Sequence, residues 1–183
     1  MVYFLIILLL ILLLLILLWL WWRGRDVKLS EAHYASGWSV NNNADWTPFP
    51  PNANPLGPPN DACTGGVIVG SWAHFTFPQF GLPAGSTVTG IMVRFKYLSQ
   101  SGSNTVQLTN GGTLVGNSKP IASVAGPSRC SSTKFTSVGG DGDTWGTNFA
   151  VAAVNAAAVG VRITQNANTV DIDAVELTVC YST

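Results

Sequence analysis

The sequence predicts an all-β, antiparallel β-sandwich preceded by a single apolar helix. Three observations carry that prediction. Residues 2–22 read VYFLIILLLILLLLILLWLWW, an apolar run without a charge, Gly, Pro or Ser. From about Gly66 onward, short segments rich in β-branched and aromatic residues alternate with Gly, Asn and Pro turn signals. Between the two, six of the ten prolines fall between Pro48 and Pro59, where neither a helical nor a strand period can be read. The expected division is therefore an anchor over 1–22, a juxtamembrane linker or arm over 23–65, and a sandwich domain over 66–183.

Composition narrows the function classes before any motif is considered. Of 183 residues, nine are Lys or Arg and nine are Asp or Glu, so the net charge is zero. Without a basic cluster the chain lacks the footprint of a nucleic-acid binder. Two histidines and three scattered cysteines leave little material for a multi-ligand metal site.

At 1.5 Å per residue, an apolar run of this length measures roughly 30 Å as a helix, the thickness of a hydrocarbon core. It predicts an uncleaved, single-pass transmembrane anchor contacting membrane lipid. Trp19, Trp21 and Trp22 stand where a headgroup interface would fall, followed by Arg23, Arg25 and Lys28. The basic flank argues for a cytoplasmic C-terminal domain, whereas the domain's composition argues for export. The second consideration is followed here, giving a periplasmic or extracellular domain. The helix either faces lipid alone or packs on a neighbouring subunit or bound pigment, with the indoles at its rim.

The 23–65 segment is read either as a spacer or as an extended arm lying on a partner, with Trp38, Trp46 and Phe49 as anchors. After it, VIVGSWAHFTF (67–77) reads as a strand. In TVTGIMVRFKYL (87–98), Ile91, Val93, Phe95 and Tyr97 alternate with Met92, Arg94, Lys96 and Leu98, the period of a half-buried strand. Val88 has the wrong parity, so a bulge is expected at Thr89-Gly90. Further strands are expected around 105–109, 113–115 and 134–138, and one helical turn over 150–158. VGVRITQ and TVDIDAVELTVCY close the domain, with a second parity break near Asp173-Ala174.

LPAGSTVTGIMVRF, GGDGDTWG, VGVRITQ and TVDIDAVELTVCY together resemble a jelly-roll-like β-sandwich module. That module is found in phage virion and tail proteins and in bacterial surface or exported proteins. The resemblance covers about residues 66–181 and implies a fold; the module brings no catalytic signature. Cys180 in the closing strand departs from its usual pattern.

Candidate chemistry is sparse. Asp141 and Asp143 in the Gly-rich GGDGDTWG loop are calcium-ligand candidates, although Asp also serves such turns through its own backbone hydrogen bonds. Asp171 and Asp173 read as edge or solvent-facing charges. His33 and His74 have no ligand-spaced companions, and no nucleophile–base motif occurs, so no enzymatic activity and no obligatory cofactor are expected. Cys63 and Cys130 form the expected disulfide if the domain is exported, with Cys180 a small buried hydrophobe; three reduced thiols are the alternative. Two functions follow. The first is a non-enzymatic, membrane-anchored scaffolding subunit stabilising a larger assembly of integral-membrane subunits, for which a bacterial photosynthetic reaction centre with its light-harvesting antenna is the candidate host. The alternative is an adhesin or carbohydrate-binding module using Trp72 or Trp145, the latter also suited to plugging one end of the sandwich.

Overall fold

Alternation of apolar and polar residues, interrupted at two points, shapes the central sheet. The computed structural model describes residues 2–23, 27–41, 46–49, 56–60, 63–66, 68–99, 104–122, 135–166 and 170–183. In chain order these form α1 (Val2–Arg23), β1 (Lys28–Leu29), β2 (His33–Tyr34), β3 (Gly37–Val40), β4 (Thr47–Phe49), β5 (Cys63–Gly66) and β6 (Trp72–Thr76). There follow β7 (Thr87–Ser99), β8 (Asn104–Asn110), β9 (Thr113–Ile121), β10 (Phe135–Gly140), α2 (Val151–Asn155), β11 (Val159–Thr164) and β12 (Val170–Ser182). Among the described residues, one sheet has the order β10-β7-β12-β5-β4, with β1 and β2 also pairing with β12. The other has the order β3-β6-β11-β8-β9. All pairings are antiparallel.

The two parity breaks are bulges. Cys180 pairs with Gly90 and Tyr181 with Val88, leaving Thr89 as the extra residue on β7; Ile172 pairs with Tyr97 and Ala174 with Lys96, leaving Asp173 extra on β12. Each insertion resets the alternation, so Val88 packs against the core beside Ile91 and Val93, and Val175 continues the face begun by Ile172. The core fills from both sheets: Ile91, Val93, Phe95, Leu177 and Val179 from one, Phe75, Val106, Leu108, Val161 and Ile163 from the other.

Several sequence expectations are corrected. The segment from Lys28 to Phe49 is not a spacer outside the domain. Its short strands pair β1 and β2 with β12, β3 with β6, and β4 with β5. Trp46 is accordingly 2% exposed and Trp38 packs against the same core, so these indoles stabilise the sandwich itself. The expected strand over 67–77 is divided: Ile68 and Val69 are exposed beside Gly70 at φ 89°, and β6 starts only at Trp72. Asp171 and Asp173 are each 2% exposed rather than solvent-facing. Asp173 Oδ2 pairs with Lys96 Nζ at 3.0 Å, and its Oδ1 accepts from the Asn60 N–H at 3.1 Å.

The membrane anchor is corrected as well. The side chains of α1 are described at Phe4 and from residue 6 to 19, where all are exposed. Among the described residues, no helix is long and apolar enough to cross a membrane. With the anchor go the readings that depended on it: single-pass membrane placement with a periplasmic domain, lipid and integral-membrane subunits as partners, pigment contact, and the photosynthetic host.

Because Trp46 belongs to the core, Trp46→Ala lowers the stability of the isolated chain by about 3–5 kcal/mol, the usual cost of emptying a buried aromatic site. Chemical denaturation monitored by far-ultraviolet circular dichroism checks this. A variant as stable as the parent would return Trp46 to the surface.

Candidate functional site

The D-x-W-G loop, which holds two of the sequence candidates, is internally occupied. Trp145 is 1% exposed at φ 58°, and its Nε1–H donates to the Ile91 carbonyl at 2.8 Å. Gly139 permits this approach, since a Cβ there would stand 2.7 Å from the indole nitrogen. Asp143 Oδ1 accepts from the Trp145 backbone N–H at 3.0 Å, and Oδ2 meets Lys119 Nζ at 2.8 Å. Burial pushes the Asp143 carboxyl up, but the hydrogen bonds from Lys119 and the Trp145 N–H, with the Lys119 charge, hold it below the ordinary carboxylate range. Asp141 Oδ1 accepts from Thr89 Oγ1 at 3.2 Å. Both carboxylates thus fasten the loop. Among the described residues, no group of three or more His, Cys, Asp or Glu could hold a metal ion. Trp145 plugs the sandwich, which removes it as an exposed stacking platform.

The remaining sequence candidates are dispersed. Trp19 is 49% exposed on α1. The side chains of Trp21, Trp22 and Phe49 lie outside the described residues, as does Cys130. Cys63 is disulfide-bonded, and Cys180 is a free, buried thiol raised by burial and by the nearby Asp141 charge. His33 stacks edge-on against Phe80 at 4.7 Å. A cavity of about 570 Å³ is lined by Val27, Thr87, Thr89, Asp141, Gly142 and Ser182, a set with hydroxyls and one carboxylate but no ring.

Trp72 stands apart. In β6, Ala73 and Phe75 turn into the core, so Trp72 and His74 take the opposite, outer face and are half-buried there. Register extends that face across the sheet: Ser39, His74, Arg162 and Gln107 lie in one row, and Trp72, Thr164 and Thr105 in the next. The Arg162 guanidinium lies over the Trp72 ring, 4.2 Å from its centroid. Among the described residues its Nε is buried without a hydrogen-bond partner, and a terminal nitrogen donates to the Gly112 carbonyl at 3.5 Å.

The Trp72 backbone N–H donates to Asn41 Oδ1 at 2.8 Å, which fixes the β6 edge. Gln107 Nε2 donates to the Gly116 carbonyl at 2.7 Å, and Asn166 Nδ2 to Thr105 Oγ1 at 3.1 Å. His74 Nε2 and Thr109 Oγ1 are hydrogen-bonded at 2.8 Å across the intervening strand. Gly160 makes that bridge available, because a Cβ there would stand 2.5 Å from the Thr109 hydroxyl and 2.6 Å from the imidazole.

Sequence reasoning found Trp72 but passed over Arg162, and saw in His74 only a histidine without ligand-spaced companions. The alternation in VGVRIT does place Arg162 opposite Val161 and Ile163. No local signal reveals that β11 lies beside β6, so the stack itself is a product of topology.

No protein-family model matches the chain, and no curated protein matches it. Solved structures do. A CBM35 from Paenibacillus barcinonensis is 14% identical, with 79% of this chain and 94% of that one covered and a TM-score of 0.46. The C-terminal CBM6 of LamC, a marine laminarinase from Zobellia galactanivorans, is 14% identical, with 84% and 99% covered and a TM-score of 0.43. The catalytic unit of a GH87 α-1,3-glucanase from Streptomyces thermodiastaticus is 16% identical, with 84% of this chain and 26% of that one covered and a TM-score of 0.44. None of these three is a phage virion or tail protein.

Burial, and secondarily the Arg162 charge, lowers the His74 pKa below its ordinary 6.5. The folded chain therefore binds fewer protons at this residue than the unfolded chain does. The stability involved is intact above 6.5 and is lost as the pH falls through 6.5 toward the lower folded value. In urea titrations between pH 7.5 and 5, His74→Gln, which keeps a polar group near Thr109, shows a smaller acid loss than the parent. Equal slopes would mean that His74 titrates normally.

Proposed function

We propose that the sandwich is a non-catalytic glycan-binding module, with its ligand lying on the outer face of the β3-β6-β11-β8-β9 sheet against Trp72. One observation carries this reading: a half-buried indole on an outer sheet face, among hydroxyl, amide, imidazole and guanidinium groups. A pyranose ring has an apolar C–H face and a polar rim. An indole supplies a rigid apolar surface for the first, and side chains such as Gln107, Thr105 and Thr164 supply donors and acceptors for the second. The guanidinium lies over one ring face, and this reading assigns the sugar to the other. A binding role needs no nucleophile or metal, only a pre-formed surface, and β-strand positions hold such a surface more rigidly than loops do. The carbohydrate-binding modules among the structural neighbours agree in kind, but the reading stands on Trp72. The scaffolding reading, placed first on the sequence, loses two of its anchors, since Trp38 and Trp46 are used inside the sandwich.

The full chain should be retained by at least one polysaccharide in affinity electrophoresis across a panel of plant, algal and bacterial glycans. Trp72→Ala should weaken that retention by roughly thirty-fold, equivalent to ~2 kcal/mol for loss of a central aromatic anchor. The fold should be unchanged, because Trp72 is not part of the core. Retention by no glycan, or undiminished retention of Trp72→Ala, would remove the proposal.

A further inference from the structure

We infer that the ligand of this face is an acidic sugar, whose carboxylate or sulfate is met by Arg162. The inference rests on the glycan-binding reading and adds the charge class of the ligand. It begins from how the basic side chains are paired. Arg94 pairs with Glu176 at 2.9 Å, Lys96 with Asp173 at 3.0 Å and Lys119 with Asp143 at 2.8 Å. Among the described residues, Arg162 has no carboxylate partner.

Its surroundings make this a property of the whole face. The strands GWSV, WAHFT, VGVRIT, NTVQLTN and TLVGNSKPI contain no Asp or Glu, so this sheet offers Arg162 no internal counter-charge. The other sheet places Asp171, Asp173 and Glu176 on β12 alone.

The donors of Arg162 are also under-used. A guanidinium carries five N–H groups in a rigid fork. Here Nε is buried without a partner, and among the described residues the terminal nitrogens make one hydrogen bond, a 3.5 Å approach to the Gly112 carbonyl. Stacking on Trp72 at 4.2 Å holds the fork in place, so an incoming anion meets pre-oriented N–H donors on the terminal nitrogens. A sugar packed on the indole face assigned to it above carries its ring substituents to the edge of the guanidinium. A neutral hydroxyl in that position would accept a hydrogen bond but leave the charge uncompensated. A carboxylate or sulfate oxygen answers both.

The test compares matched ligands on the full chain. Oligogalacturonate is set against its carboxyl-reduced form, and a sulfated galactan against its desulfated form, by isothermal titration. At least one acidic form should bind roughly ten-fold or more tightly than its neutral counterpart, the scale of a hydrogen bond to a charged group, and the arm that responds identifies the anion. In Arg162→Gln that preference should vanish while the residual affinity for the neutral form persists. If Arg162→Gln fails to fold by circular dichroism, the parent protein still decides the matter: the preference should shrink as NaCl is raised. Equal affinity of the parent for acidic and neutral forms would overturn the inference and leave the glycan-binding reading standing. Binding of neither form, nor of any glycan in the wider panel, would overturn both.

Discussion

The pairing of β12 is the constraint on which the rest of the fold depends. It runs antiparallel to β7 over its whole length and on its other edge receives β5, β2 and β1 in succession. Every residue from Val170 to Cys180 is buried. A strand covered on both faces should be uniformly apolar, yet this one carries Asp171, Asp173 and Glu176. Buried carboxylates are costly unless paired and hydrogen-bonded. Arg94 and Lys96 of β7 answer Glu176 and Asp173, and Glu176 stands opposite Tyr34 of β2 in the ladder. Burial first, then the Glu176 charge and hydrogen bond, raise the Tyr34 pKa above its ordinary 10.0, with Arg94 opposing. The N-terminal strands are therefore held partly by hydrogen bonds of the ladder and partly by this ion-pair network. Removing one member would leave an uncompensated charge under the others, and this couples β2 to β7 through β12.

That coupling explains which parts of the fold could be read from the sequence. β7 and β12 are long enough to show a period, and even their bulges at Thr89 and Asp173 could be inferred from the parity of Val88 and Val175. Strands of two to four residues cannot show a period, so β1 to β4 were hidden, β4 within a Pro- and Asn-rich stretch. Pro48 sits in β4, at the edge of its sheet, where a missing N–H breaks no central ladder. Once those strands were overlooked, Trp38 and Trp46 looked like surplus aromatics in need of a partner, and Asp171 and Asp173 looked exposed. Both misreadings share one cause: the elements that cover these residues pair with β12, β5 or β6 from far away in sequence. Ile68 and Val69 failed in the opposite direction. Their β propensity is high, but Gly70 at φ 89° places them in a turn.

The two outer faces differ in how they treat charge. On the β12 sheet, basic and acidic side chains neutralise each other, and the Arg94 guanidinium is further covered by the Phe135 ring at 4.6 Å. Such a face is electrostatically closed. The β11 sheet has no acid on any of its strands, so among the described residues its central arginine is met by the Trp72 ring and the Gly112 carbonyl rather than by a carboxylate. Gly160 belongs to the same arrangement. By omitting a side chain it lets His74 and Thr109 join across β11 and keeps the row beside Arg162 low. Burial and the neighbouring guanidinium keep His74 from taking up a second positive charge near neutral pH. The face therefore presents one cation, one indole and a set of neutral polar groups on a rigid sheet. This combination does nothing for the core, since neither Trp72 nor Arg162 contributes to it, and an orphaned Nε is a cost to folding. A cost of that kind, held on strands rather than in a mobile loop, is the expected mark of a surface kept for binding.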